Sequence, residues 1–301
     1  MSQSNLRWPS ALIDAVARGE CMIFIGAGIS RHAKQAGESE ASPVGWRALL
    51  EHLLENIVPK SEVRRSSARS RIRSLINSGD YLGAAQSIES IYMDKGLSAD
   101  FRKLIAETVD GPSGNPFMPS VAHDLIAELN PRTIVTTNYD NILERKFSEG
   151  YRTVTYESTS LGDSIRTGAY TILKIHGTKD DPQGLVLTRL DFTRLRRQGR
   201  RSLELLEALF MTRTVLFTGY SLGDPDLQLI LENQFGAAGD SAGHFMLAHN
   251  KSHSDTDKKI LREAYGVEIL PYEGDRDAGL IASLEGLVAE SSKLRMEMTG
   301  L

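Results

Sequence analysis

The stretch Cys21-Met22-Ile23-Phe24-Ile25-Gly26-Ala27-Gly28-Ile29-Ser30 constrains this chain more than any other. Five apolar residues in a row suit a strand buried on both faces, as in parallel sheets. Gly26 and Gly28 follow directly, then Ser30. A strand that runs straight into a glycine turn is how α/β units that hold nucleotides begin. A side chain at such a glycine would keep a pyrophosphate off the backbone amides. The same Gly-x-Gly turn can also serve packing alone, so the rest of the chain must choose between the two readings.

Around this stretch the hydrophobic period changes repeatedly. Residues 9–18 read as a short helix, with Pro9 in its first turn, Leu12, Ile13 and Val16 on one face and Gly19 as its stop. Residues 31–44 are polar and loop-like. Helical patterns then start at Gly45-Trp46 and recur near 61–77, 80–93 and 97–109, with no strand signal between about 45 and 130. This is expected to be a helical insert over the sheet. Pro112, Pro116 and Pro119 mark 111–119 as a turn-rich loop, followed by a helix at 120–129. Strands are expected at 133–137, 152–157, 170–175, 214–218, 244–248 and 267–271, and helices at 191–211, 225–234, 255–264 and 277–298. Alternating strands and helices predict an α/β fold with a Rossmann-like, mostly parallel sheet and helices on both faces. The expected organisation is one domain over 1–301. Its core would span about 9–44 and 130–275, its helical insert about 45–129 and its C-terminal helix about 277–298.

Composition removes several classes. Cys21 is the only cysteine, which excludes an internal disulfide and a Cys-rich zinc site and suits a reducing compartment. The histidines show no metal spacing; His249 and His253 stand four apart with no set of ligands to complete a site. No metal is expected. A net charge of −4 argues against nucleic acid as the main ligand. No apolar run reaches the roughly 20 residues of a membrane helix, and no signal-peptide pattern opens the chain, so no membrane role and a cytoplasmic location are expected. Two arginine-rich stretches, Lys60 with Arg64, Arg65, Arg69, Arg71 and Arg73, and Arg189 with Arg194, Arg196, Arg197, Arg200 and Arg201, read as solvated helix faces or as a docking surface.

In a doubly wound sheet, ligands bind beyond the carboxyl ends of the strands. Small and polar residues stand just past five of the expected strands: Gly26, Gly28 and Ser30; Asn138, Tyr139 and Asp140; His176 and Gly177; Gly219 to Asp224; and Asn250. Each has a plainer reading. Asn138 could cap the following helix, His176 could be a bonded core residue, Gly219 and Ser221 could form an ordinary turn, and Asp224 before Pro225 suits an N-cap better than a ligand. Asn250 is open between the two.

The motifs Gly26-Ala27-Gly28-Ile29-Ser30, Thr137-Asn138-Tyr139-Asp140, Lys174-Ile175-His176-Gly177 and Gly219-Tyr220-Ser221-Leu222 follow one another after strands. In that order they resemble the sirtuin superfamily, most of all its bacterial NAD-hydrolysing branch in antiphage systems. The resemblance implies that Gly26, Ala27, Gly28 and Ser30 cradle the NAD pyrophosphate. It further implies that Asn138 and His176 serve the nicotinamide ribose as catalytic residues, with Thr137 and Asp140 beside them. Gly219, Ser221 and Asn250 would hold the adenosine side. Two departures speak against protein deacetylation: the four zinc-binding cysteines of that branch are missing, and residues 31–46 replace its Gly-Ile-Pro-Asp-Phe-Arg stretch. The implied activity is NAD hydrolysis to nicotinamide and ADP-ribose. A deacylase or mono-ADP-ribosyltransferase, and a non-catalytic NAD- or ADP-ribose-sensing module, are the alternatives. Control is expected from a homo-oligomer or a partner. The resemblance points first to a HerA-type ATPase and second to a short Argonaute-type protein.

Overall fold

The computed structural model describes residues 6–37, 41–57, 63–238 and 243–300. In chain order, α1 (Ser10–Ala17) leads to β1 (Cys21–Ile25) and the single turn α2 (Ala27–Ser30). A short β2 (Lys34–Gln35) precedes four helices: α3 (Trp46–Ile57), α4 (Val63–Ser78), α5 (Tyr81–Asp94) and α6 (Ser98–Asp110). Then come β3 (Phe117–Met118), α7 (Val121–Glu128), β4 (Thr133–Thr136), α8 (Ile142–Lys146), β5 (Arg152–Thr155), α9 (Leu161–Thr167) and β6 (Thr171–Lys174). The chain continues through α10 (Arg189–Gln198), α11 (Arg200–Thr212), β7 (Thr214–Thr218), α12 (Pro225–Ala238), β8 (His244–His249), α13 (Asp255–Tyr265), β9 (Val267–Tyr272) and α14 (Arg276–Thr299).

Seven strands form one sheet in the order β5-β6-β4-β1-β7-β8-β9, and every neighbouring pair is parallel. All five residues of β1 are buried, as an apolar run at the centre of such a sheet requires. Its alternate side chains feed two cores. Cys21, Ile23 and Ile25 pack with α1, α7 and α14, while Met22 and Phe24 pack with α9, α11, α12 and α13. The chain fills one side of β1 first, through β4, β5 and β6, and then crosses to the other side with β7. That reversal is a topological switch point, where open α/β sheets leave a crevice at their carboxyl edge.

The structure departs from the sequence reading in four places. The expected helix at 191–211 breaks at Gly199 into α10 and α11; a Cβ there would lie 2.7 Å from Leu195 Cδ1. Helix α9 forms where no helix is expected from the sequence. The two-residue strands β2 and β3 pair antiparallel, inside segments expected to be loops, and two residues are too few to show a period. The helical insert does not cover a sheet face. Its core takes in Tyr139, Leu185 and Leu187, all past the ends of β4 and β6, so α3–α6 stand over the carboxyl edge. Arg102 on α6 ties the insert down, donating to the Leu185 carbonyl at 3.0 Å, to both Asp191 oxygens at 2.9 and 3.1 Å, and to Glu89.

Candidate active site

The site is built outward from two crossed turns. In the β1–β7 register Ile25 pairs with Thr218, so Gly26 and Gly219 leave the sheet side by side. The Gly26 amide donates to the Thr218 carbonyl at 3.1 Å, and the Gly28 amide to the Gly219 carbonyl at 2.8 Å. A Cβ on Gly26 would lie 2.7 Å from Tyr220 Cα, and one on Gly28 2.7 Å from Gly219 Cα. Gly219 itself has φ +60, and its Cβ would come within 2.5 Å of the Ile29 nitrogen. The glycines therefore let two turns touch backbone to backbone, and the packing reading of the Gly-x-Gly motif is written into the geometry. Ala27 and Gly28 are half-buried and Ser221 is exposed. Leu222, further along the second turn, is a buried non-glycine residue at φ +52, a conformation that costs energy and recurs at functional loops.

Beyond β4 the backbone is held by Thr136, whose hydroxyl donates to the Ile25 carbonyl at 2.8 Å and accepts the Asn138 amide at 3.0 Å. Asn138 does not cap α8. Its Nδ2 donates to Ser30 Oγ at 2.9 Å, and that hydroxyl donates to Asp140 Oδ2 at 2.8 Å. Asp140 Oδ1 accepts the Ile142 amide at 3.1 Å, fixing the start of α8. Asn138, Ser30 and Asp140 thus form one buried relay between β1 and β4, with Thr137 half-buried beside it. Among the described residues Asn138 Oδ1 makes no hydrogen bond, which leaves it for a ligand. Burial pushes the Asp140 carboxyl up to about 6, against the opposing pull of Lys174, Ser30 and the Ile142 amide.

Lys174, the last residue of β6, is sealed from solvent. Its Nζ donates to the carbonyls of Tyr139 (3.2 Å) and Asp140 (2.6 Å), to Asn141 Oδ1 (3.1 Å), Glu144 Oε1 (2.7 Å) and Thr178 Oγ1 (3.2 Å). A buried ammonium needs such compensation. Here it clamps the loop that carries Asn138.

The β4–β6 register pairs Thr136 with Lys174. Asn138 and His176 are therefore equivalent positions on neighbouring parallel strands, each two residues past the paired end, and both are buried. The His176 ring stands edge-on to Phe192 at 5.2 Å, and its carbonyl accepts the Val186 amide at 3.0 Å. Its Nε2 lies 2.7 Å from Asp224 Oδ2, with both side chains about 5% exposed. The pair is close but poorly aligned, so neither atom has a well-directed hydrogen bond. Asp224 Oδ1 accepts the amides of Asp226 (2.8 Å) and Leu227 (3.2 Å), so the expected N-cap is real and engages one oxygen only. Burial raises the Asp224 carboxyl, but the adjacent His176 ring and the amides of Leu227 and Asp226 outweigh burial and hold it below the ordinary carboxylate range.

Past the strand ends of this edge, His176 Nε2, Asp224 Oδ2 and Asn250 Oδ1 are buried without an aligned partner, as is Thr218 Oγ1 at the end of β7. Asn250 follows β8, and its amide donates to the Tyr272 carbonyl at 2.9 Å. Such unmatched groups suit a polar ligand that supplies what the protein lacks. Among the described residues no group of three or more His, Cys, Asp or Glu side chains could hold a metal ion. No described helix is long and apolar enough to cross a membrane. In the arginine-rich stretches, Arg69 and Arg73 reach Glu55, Arg189 reaches Asp80, Arg194 reaches Asp191, Arg196 reaches Asp226 and Arg200 reaches Glu204. Lys60 and the side chains of Arg64 and Arg65 lie outside the described residues.

A parallel sheet with its switch point between β1 and β7, and an amide and an imidazole at matching strand ends, defines a Rossmann-type α/β protein. Over residues 132–270 the chain matches the model of a SIR2-like domain. It is 26% identical over 223 residues to the NAD(+) hydrolase ThsA of Enterococcus faecium, covering 73% of this chain and 41% of that protein. It is 24% identical over 228 residues to defense-associated sirtuin 2 of Bacillus subtilis, covering 73% of this chain and 20% of that protein. A solved structure of Sir2 enzymes aligns with 15% identity and a TM-score of 0.46 over 96% of this chain and 99% of its own. The chain spans less than half the length of these two curated relatives.

Proposed function

We propose that this chain hydrolyses NAD, breaking the nicotinamide–ribose bond to release nicotinamide and ADP-ribose, and that it depletes cytoplasmic NAD as an antiphage effector that arrests or kills the infected cell. The observation that carries this reading is the pairing of Asn138 and His176 as equivalent, buried positions past β4 and β6. The names of the relatives, NAD(+) hydrolase and defense-associated sirtuin, support it. Cleavage at C1′ of the ribose passes through oxocarbenium-like charge, as in other glycosidic hydrolyses. Nicotinamide leaves as a neutral molecule from a cationic precursor. Such a reaction calls for position, a dry pocket and a placed water more than for a strong acid. Asn138 Oδ1 would orient the water or a ribose hydroxyl, and His176 would accept its proton. Gly26, Ala27, Gly28 and Ser30 would cradle the pyrophosphate, and Gly219, Ser221 and Asn250 would hold the adenosine side, with Thr137 and Asp140 beside Asn138.

In the same reading the core, the insert and α14 act as one sirtuin-like unit. An unchecked NAD hydrolase harms its host, so activity awaits a homo-oligomer or a partner. A HerA-type ATPase is the first partner to test and a short Argonaute-type protein the second.

The test is to incubate the full chain with NAD, with and without an acylated peptide, and quantify nicotinamide, ADP-ribose and acyl-ADP-ribose. Nicotinamide release without peptide, lost in Asn138→Ala and His176→Ala variants that still bind NAD, is the expected result. Acyl transfer that depends on the peptide would replace it with a deacylase. Binding without product, with either partner present, would leave a sensing module.

A further inference from the structure

Asp224 lies 48 residues beyond His176 and outside the two motifs that carry Asn138 and His176, yet its second oxygen is aimed at the imidazole. Three observations fix it there. Its first oxygen is held by the amides of Asp226 and Leu227, so the carboxylate cannot turn freely. The next acidic residue, Asp226, is drawn away to Arg196 at 2.6 Å. The 2.7 Å approach to His176 Nε2 occurs where both side chains are almost wholly buried. Substrate-free sites often hold such contacts out of line, to tighten when substrate binds.

We propose that Asp224 is the positioning residue for His176: it holds the neutral imidazole with its proton on Nε2, turning Nδ1 toward the crevice as the basic nitrogen. The proposal rests on the hydrolase reading and deepens it. In the reaction an O–H bond of the attacking water breaks, directly or through a ribose hydroxyl, and an Nδ1–H bond forms. The oxygen's electron pair makes the C1′–O bond, and the pair of the broken C1′–N bond leaves with neutral nicotinamide. The proton stays on the ring until it passes to solvent after product release. The imidazolium so formed faces the Asp224 carboxylate, which remains ionised throughout. A carboxylate behind a histidine serves in this way in hydrolytic triads, by fixing the tautomer and balancing the charge. The N-cap gives the carboxylate a fixed base that a flexible surface Asp would lack.

Asparagine and serine both cap helices well, so Asp224→Asn and Asp224→Ser remove the charge and keep the cap. The experiment combines imidazole ¹⁵N NMR of the full chain with steady-state nicotinamide release. In the wild type the His176 resonances should report an Nε2–H tautomer, and in both variants that preference should be lost. kcat should fall by about 100-fold or more, in the range of acid–base contributions, with the KM for NAD within about threefold and the unfolding midpoint little changed. A wild-type Nδ1–H tautomer overturns the proposal even if a variant fails to fold. So does an Asp224→Asn enzyme with kcat within about threefold of wild type while His176→Ala is inactive. If the wild type releases no nicotinamide with either partner, the hydrolase reading fails, and the NMR result still decides whether Asp224 sets the tautomer.

Discussion

Replacing Gly28 with alanine separates the two jobs that a Gly-x-Gly turn can do. Gly28 is not in the left-handed region, so alanine fits its backbone and the only obstacle is space. The new Cβ would lie 2.7 Å from Gly219 Cα, 2.8 Å from its carbonyl oxygen and 3.0 Å from its carbonyl carbon. All three are backbone atoms, so no side chain can swing aside; the turn after β7 must move as a body. Overpacking of this kind costs about 1–3 kcal/mol. With an unfolding entropy of about 2.1 cal/mol/K per residue over 301 residues, 1 kcal/mol moves the midpoint by roughly 1.6 °C. Gly28→Ala should therefore melt roughly 2–5 °C below wild type, with no NAD present, and should lose nicotinamide release as the crevice walls part. Scanning calorimetry and a nicotinamide assay on the same preparation test both. A midpoint within about 1 °C of wild type, with the KM for NAD alone raised, would refute the crossed-turn argument and return the glycine to a phosphate-cradling role.

Other expectations follow from buried charge. Lys174→Met leaves Glu144 and two carbonyls without their ammonium and should cost about 3–5 kcal/mol in urea unfolding, together with nicotinamide release as the Asn138 loop slackens. Arg102→Met strands Glu89 and Asp191 and should cost a similar amount by the same measurement, with the insert becoming the first part cut by protease. Asp140 has a folded value of about 6, above its ordinary 3.8, so its stabilising contribution is complete below about 3.8 and is lost as pH rises through 6. Asp140→Asn cannot titrate there. Its stability relative to wild type should rise by on the order of 3 kcal/mol between pH 4 and pH 7; a flat or falling difference in urea unfolding refutes the assignment.

Much of the fold could be read because its signals are local. The run from Cys21 to Ile25 has no polar residue to face solvent, so it belongs inside a parallel sheet, and there it is, fully buried. The helices flanking the sheet carry apolar stripes that need a partner on one side only. What escaped was decided by contacts rather than by pattern. Gly199 leaves the helical conformation between α10 and α11, and a Cβ there would crowd Leu195 and Tyr156, while the apolar period runs on across it. The insert reads as helices from its period, but its seat on Tyr139, Leu185 and Leu187 depends on where three distant loops meet.

The site divides the same way, and strand order explains why. Each motif is local: a glycine pair, an amide and a histidine each follow a strand, so each can be found one at a time. Their meeting is not local. Ser30 and Asp140 are 110 residues apart along the chain, yet a hydroxyl and a carboxylate lie 2.8 Å apart because β1 and β4 are neighbours. β6 and β7 are separated by the β4–β1 pair, and His176 and Asp224 meet because the segment from Gly219 to Asp224 carries the carboxylate back toward β6 beyond the strand ends. Four consecutive strands, β6-β4-β1-β7, bring the glycine turn, Asn138, His176 and Asp224 to one edge. The same strands in another order would keep every motif intact and scatter these groups. That is why Asp224 reads only as a helix cap in the sequence. Its cap bond is two residues long, while its 2.7 Å approach to His176 exists only through the arrangement of the sheet.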